Sequence, residues 1–181
     1  SVDTFRADVA RMCVEECGAD IINDISGGTM DNNMFRTVAS LRVPYILMHI
    51  QGTPATMQQA PHYDDLLREV FLFLAERVER LRQLGANDII LDPGFGFAKT
   101  AEQNYRLLSE LGKLCSPGRK ILVGVSRKSM VYRKFGITPE EALPATQVLH
   151  YKALCCGADI LRVHDVAEAV RTVEMYRLLE K

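Results

Sequence analysis

The sequence predicts an α/β protein of the TIM-type (β/α)8 barrel class, and three observations carry that prediction. One phrase recurs, as Gly18-Ala19-Asp20-Ile21-Ile22, Gly85-Ala86-Asn87-Asp88-Ile89-Ile90 and Gly157-Ala158-Asp159-Ile160-Leu161. Glycine ends a helix by accepting a left-handed backbone, a short turn follows, and the apolar run makes a strand buried on both faces. The copies begin 67 and 72 residues apart, which is two βα units each at roughly 30 residues per unit. Each apolar run also ends in polar groups: Asn23-Asp24, Asp92, and Arg162 with His164. Barrels place their functional side chains at such strand ends.

The elements follow in order. Ser1-Val2-Asp3-Thr4 reads as the end of a strand, and Arg6 to Glu16 as a helix with Val9, Met12 and Cys13 on its apolar side. Ile21 to Asn23 is the next strand, then a loop with Ser26-Gly27-Gly28 and a short helix from Met34 to Leu41. Strand Tyr45 to His49 leads through Gly52 and Pro54 into a long helix from about Asp64 to Leu84. Strand Ile89 to Asp92 precedes a helix from Glu102 to Leu114, and strand Ile121 to Gly124 precedes Ser126-Arg127-Lys128-Ser129. Thr138 reads as the N-cap and Pro139 as the first-turn residue of a helix reaching Cys156. Strand Ile160 to Val163 and a helix from Val166 to Leu179 complete the series.

Strict strand–helix alternation means a parallel sheet with right-handed crossovers. Six such units fit either an open doubly wound sheet or the last six of a barrel of eight. The beheaded first strand favours the barrel, with the first two βα units, about 70 residues of a typical 250, expected upstream. Residues 1–181 are therefore expected to form a single, N-terminally truncated domain.

Composition narrows the function. With 22 Lys plus Arg against 23 Asp plus Glu, no bulk charge calls for nucleic acid or an anionic membrane. No apolar stretch reaches the length of a membrane span and no signal peptide opens the chain, so a cytoplasmic protein is expected. The five cysteines lack paired CxxC spacing and read as reduced thiols rather than as a zinc site or a nucleophile. HExxH and GxSxG motifs are absent, which argues against a zincin and a serine hydrolase.

Two clusters carry chemistry. Ser126-Arg127-Lys128-Ser129 and Arg162-Val163-His164-Asp165 end neighbouring strands, where barrels commonly hold a phosphate. Arg162 and His164 alternate with Val163 and so share one face; a phosphate or pyrophosphate is the ligand these cations suit. In Asp92-Pro93-Gly94-Phe95-Gly96-Phe97-Ala98-Lys99 a carboxylate ends a buried strand. Its two oxygens match the N–H/N–H edge of a guanidine-like or 2-aminopyrimidine ring. Phe97 offers an aromatic face, whereas Phe95 reads as core. Asp3 and Asn23 also end strands, and with Asp92 they would ring the barrel mouth. Asp24 reads equally as a helix N-cap. Met48 suits packing on a planar ring, and His49 reads as a structural histidine rather than an acid or base.

Six stretches in order, covering the whole chain, resemble the dihydropteroate synthase family. They are Ser1 to Thr4, Ile22 to Ser26, Leu47-Met48-His49 with Gly52-Thr53-Pro54, Asp92 to Lys99, Gly124 to Ser129, and Arg162 to Val166. The resemblance implies condensation of 4-aminobenzoate with 6-hydroxymethyl-7,8-dihydropterin diphosphate, giving 7,8-dihydropteroate and pyrophosphate in folate biosynthesis, by an enzyme that sulfonamides target. It implies that Asp3, Asn23, Asp92, Lys128 and Met48 bind the pterin and that Arg162 and His164 hold the diphosphate. It implies too that Phe97 and Ser129 border the aminobenzoate pocket and that Lys128, Arg162 and His164 form the catalytic set. It further implies Mg²⁺ as cofactor, a homodimer, and small-molecule substrates.

The family's Mg²⁺-associated asparagine lies on a strand upstream of Ser1, so no metal ligand is expected within these residues. Thr138 to Tyr151 also lacks the small-residue run common in relatives. Weak or absent synthase activity is expected of the 181 residues alone. The alternatives are a pterin-binding methyltransferase acting with methyltetrahydrofolate and a corrinoid protein, or an inactive fragment.

Overall fold

In a computed structural model, which describes residues 1–52, 61–115 and 118–180, six strands form one parallel sheet in chain order. They are β1 (Val2–Asp3), β2 (Ile22–Asp24), β3 (Tyr45–Met48), β4 (Ile89–Asp92), β5 (Lys120–Val123) and β6 (Ile160–Leu161). Helices alternate with them: α1 (Ala7–Glu15), α2 (Met34–Leu41), α3 (Leu66–Gln83), α4 (Ala101–Ser109), α5 (Ser129–Phe135), α6 (Leu143–Cys155) and α7 (Val166–Leu179). A doubly wound sheet reverses its strand order at a switch point; this one never reverses, and the fold is that of the TIM-barrel class.

The curvature is measurable from one side chain. Flat, β6 and β2 would lie four strand spacings apart, about 19 Å. Instead Arg162, just beyond β6, donates from Nη1 to Asn23 Oδ1 on β2 at 3.2 Å. The sheet curls until its strand ends face one another across a common interior.

Alternation along each strand divides the core in two. Ile22, Tyr45, Leu47, Ile89, Leu91, Ile121 and Val123 join the helices in the main apolar cluster. Ile46, Ile90 and Leu122, with Ile21 and Ile160 against them, form a separate cluster on the concave side. A strand buried on both faces reads as a continuous apolar run, and that is why the recurring phrase was visible.

All three phrases end their helices as expected. Gly18, Gly85 and Gly157 have φ of 71°, 92° and 92°. The alanine after each donates backward, Ala19 to Cys13 O, Ala86 to Leu81 O and Ala158 to Ala153 O, at 2.9 to 3.0 Å.

Three expectations are corrected. The helix drawn from Glu102 to Leu114 is α4 followed by a 3-10 turn at Leu111–Leu114, because Glu110 leaves the helical region at φ −107°, ψ 14°. Thr138 and Glu141 exchange the reciprocal bonds of a capping box, yet α6 begins only at Leu143 and Pro144 takes the first-turn position given to Pro139. Helix α5 was not anticipated. Its seven residues, stopped by Gly136 at φ 64°, are too few to display a helical period. Among the described residues no helix is long and apolar enough to cross a membrane.

Candidate active site

On the concave side, the residue two places beyond each strand's interior apolar residue continues the same face towards the strand end. Ile21 leads to Asn23, Ile46 to Met48, Ile90 to Asp92, Leu122 to Gly124 and Ile160 to Arg162, while Asp3 pairs in register with Asn23. The period of two puts each pair on one face, so an apolar floor is topped by a polar rim without any break in the strands.

Four rim residues, Asp3, Asn23, Asp92 and Arg162, form one connected network. Asp92, fully buried, accepts the Gly94 N–H on Oδ1 at 2.8 Å and Arg162 Nη2 on Oδ2 at 2.8 Å. The same guanidinium reaches Asn23 Oδ1, and Asn23 Nδ2 donates to Asp3 Oδ1 at 2.5 Å. Lys128 Nζ stands 4.6 Å from the Phe97 ring centroid, a cation–π distance. Burial and the nearby Arg162 push its ammonium down, while Asp92 partly restores it. Ser126 Oγ accepts the His164 backbone N–H at 3.2 Å and lies 3.0 Å from His164 Nδ1.

A cleft of about 230 Å³ opens among these groups, lined by Asp3, Asn23, Ile25, Phe97, Gly124, Ser126, Lys128, Arg162, Val163 and His164. Larger clefts lie beside α7 and between α3 and the 3-10 turn, but neither carries a comparable convergence of strand-end polar groups.

The loop after β4 is held from below by Lys99. Its Nζ meets Gly94 O and Phe97 O at 3.1 Å each and His49 Nδ1 at 2.9 Å. Three acceptors match the three donors of an ammonium. Burial nevertheless lowers this amine to about 7, with Asp92 opposing. Burial first, then Lys99 and Arg77, holds His49 well below the usual imidazole range, so it is a neutral acceptor and structural, as expected. Gly94 is obligatory: its φ is 74°, and a Cβ there would sit 2.1 Å from His49 O.

The sequence reading needs several corrections. Asp24 caps no helix: it ends β2, and its carboxylate accepts Ser26 N, Gly28 N and Tyr45 Oη at 2.7, 2.9 and 2.6 Å. Arg127, counted among the converging cations, turns away at φ 50° and pairs with Asp165 at 3.0 and 2.5 Å. Met48 is fully buried beneath the rim, packed with Ile25, Ile50, Phe97 and Ala98. Ser129 opens α5 and does not line the cleft. Phe95 is core. Thr53 and Pro54 lie outside the described residues. Gly124, Lys99 and Ser126 carry no spacing signal of their own and stand in the sequence only as members of longer motifs.

Among the described residues no group of three or more His, Cys, Asp or Glu side chains is placed to hold a metal ion. Asp92, the best-placed carboxylate, is already neutralised by Arg162. These residues alone do not make a Mg²⁺ site.

A sequentially wound parallel sheet with a built polar rim at its strand ends defines an α/β barrel protein with a ligand site. The family model described as pterin binding enzyme matches residues 1–164, and the chain belongs to that family. It is 46% identical over 173 residues to the dihydropteroate synthase of Synechocystis sp., covering 92% of this chain and 58% of the relative. Against the dihydropteroate synthase of Escherichia coli K12 it is 41% identical over 182 aligned positions, covering 99% and 63%. Among solved structures, Yersinia pestis dihydropteroate synthase in a sulfonamide drug complex superposes with a TM-score of 0.94 at 36% identity, covering 99% and 65%. The Xanthomonas albilineans enzyme in complex with 7,8-dihydropteroate gives 0.90 at 37%, covering 99% and 66%. The chain thus spans about three-fifths of the length of the curated relatives it matches.

Proposed function

We propose that the protein is a dihydropteroate synthase, joining 4-aminobenzoate to 6-hydroxymethyl-7,8-dihydropterin diphosphate. One observation carries the proposal. The cleft lined by Asn23, Lys128, Arg162 and His164 is backed by a fully buried carboxylate, Asp92, which Arg162 covers: an acceptor edge for a flat heterocycle beside cations for its anionic tail. The relatives from Synechocystis sp. and Escherichia coli are dihydropteroate synthases. A second solved structure of the Xanthomonas albilineans enzyme contains 4-aminobenzoic acid.

In this reading Asp92 accepts the N–H pair of the aminopyrimidine edge, and Asn23 and Asp3 complete that polar wall. Lys128 takes the oxygen and nitrogen side of the ring, and Met48 supports the floor from beneath. Arg162 and His164 hold the diphosphate, while Phe97 borders the arylamine. The bond from the pterin methylene to oxygen breaks first, and the pyrophosphate leaves with the electron pair. The methylene cation, stabilised by the pterin ring, is then attacked by the arylamine nitrogen, which loses a proton to solvent. These residues position the reactants and balance charge as it separates; none is a covalent nucleophile. Mg²⁺, a homodimer and a cytoplasmic location belong to the same proposal.

The test is formation of 7,8-dihydropteroate, with stoichiometric pyrophosphate, from the two substrates. Arg162→Ala is expected to lower affinity for pyrophosphate by at least about tenfold, as loss of a charge-assisted contact implies. Binding of methyltetrahydrofolate with indifference to pyrophosphate would turn the assignment to a pterin-dependent methyltransferase.

A further inference from the structure

Arg162 does not sit beside its own strand. Its guanidinium lies across the end of β5, between β6 and the Asp92–Asn23 pair. Gly124, at that crossing, lies beneath it. A Cβ there would fall 2.8 Å from Nη2, 3.1 Å from Nε and 3.2 Å from Cζ. Gly124 is not among the residues with positive φ, so what this position provides is space rather than backbone freedom.

The two partners of the ion pair differ in what they tolerate. The Asp92 side chain is wholly buried, and that of Arg162 is 38% exposed. A buried carboxylate left unpaired is costly, whereas an arginine at the surface rehydrates. Asp92 therefore always needs an N–H partner, and Arg162 can yield its place. A guanidinium offers planar N–H donors on an N–C–N frame, the same array that a 2-aminopyrimidine edge presents to a carboxylate.

We infer that Gly124 is a positioning residue that lets the Arg162 guanidinium occupy the acceptor edge of Asp92 as a stand-in for a guanidine-like ligand edge. The inference rests on the proposed function and adds an order to it. The pterin edge replaces Arg162 on Asp92, and the displaced guanidinium, still beside Lys128 and His164, becomes a donor for the diphosphate. Pterin and pyrophosphate binding are thereby coupled. A heterocycle without the anionic tail must displace Arg162 with nothing to receive it, and its apparent affinity falls accordingly.

Calorimetric titration with phosphate-free 6-hydroxymethylpterin, with and without pyrophosphate, tests this. Arg162→Ala is expected to bind that pterin about fivefold more tightly than the parent protein, at the low end of typical coupling. Gly124→Ala is expected to shift affinity in the same direction, because only the mobile end of Arg162 must move. Pyrophosphate is expected to strengthen pterin binding in the parent and not in Arg162→Ala. Equal or weaker pterin binding by Arg162→Ala overturns the inference, and parental affinity in Gly124→Ala removes the role of Gly124. Absence of pterin binding by the parent would instead strike the proposed function. Binding lost in Asp92→Asn but unchanged in Arg162→Ala sinks this inference alone.

Discussion

Replacing Asp92 by asparagine changes neither volume nor shape, yet it strikes two contacts at once. The parent carboxylate accepts Gly94 N–H and Arg162 Nη2, each at 2.8 Å. An amide has one acceptor and one donor end, so either Gly94 or Arg162 meets a second N–H. A hydrogen bond to a charged group contributes about 1.5–3 kcal/mol, and removing one member of a buried ion pair costs about 3–5 kcal/mol. Solvent access to Arg162 moves the expectation toward the low end, a loss of about 2–3 kcal/mol. With an m-value of about 2 kcal/mol/M, the urea midpoint should fall by about 1–1.5 M at unchanged m. The same variant is expected to bind a pterin about 100-fold more weakly, roughly 2.7 kcal/mol, a loss that the release of Arg162 does not offset. An unshifted midpoint together with parental pterin affinity would refute the reasoning, since the carboxylate would then anchor neither the loop nor a ligand.

Two further outcomes follow from the loop after β4. Gly94→Ala places a Cβ 2.1 Å from a backbone oxygen at a left-handed φ; strain and overpacking together predict a loss of about 4 kcal/mol, and a change below about 1 kcal/mol in urea unfolding would contradict it. Lys99, lowered by burial to about 7, binds fewer protons folded than unfolded between that value and the ordinary lysine pKa near 10.5. Its contribution to stability therefore rises as pH climbs through this window. Thermal unfolding from pH 7 to 9 should show that rise, flattened in Lys99→Met; equal slopes in the two proteins would dismiss the buried-amine account. His49, held low chiefly by its own burial, acts only below about pH 6.5, its ordinary value, and leaves that window undisturbed.

Legibility in the sequence tracked the range of each interaction. The strands were visible because burial on both faces enforces unbroken apolar runs, and three helix ends because a left-handed backbone favours glycine. Helix α5 was invisible because seven residues cannot display a period. Arg127 and Lys128 are adjacent and equally basic, yet one pairs with Asp165 while the other stands over Phe97. A left-handed φ at Arg127 separates them, and no composition rule announces it. Asp24 was open to an N-cap reading because its true partners include Tyr45, 21 residues away.

Strand-end chemistry was written in the chain itself: Asp3, Asn23, Asp92, Arg162 and His164 are polar residues closing apolar runs, and a period of two assigns them a face. The reach of Arg162 over Gly124 to Asp92 and Asn23 belongs to the tertiary structure alone. It depends on how far the sheet curls, which is set by the packing of helices against it, and a local pattern of residues carries no measure of that distance.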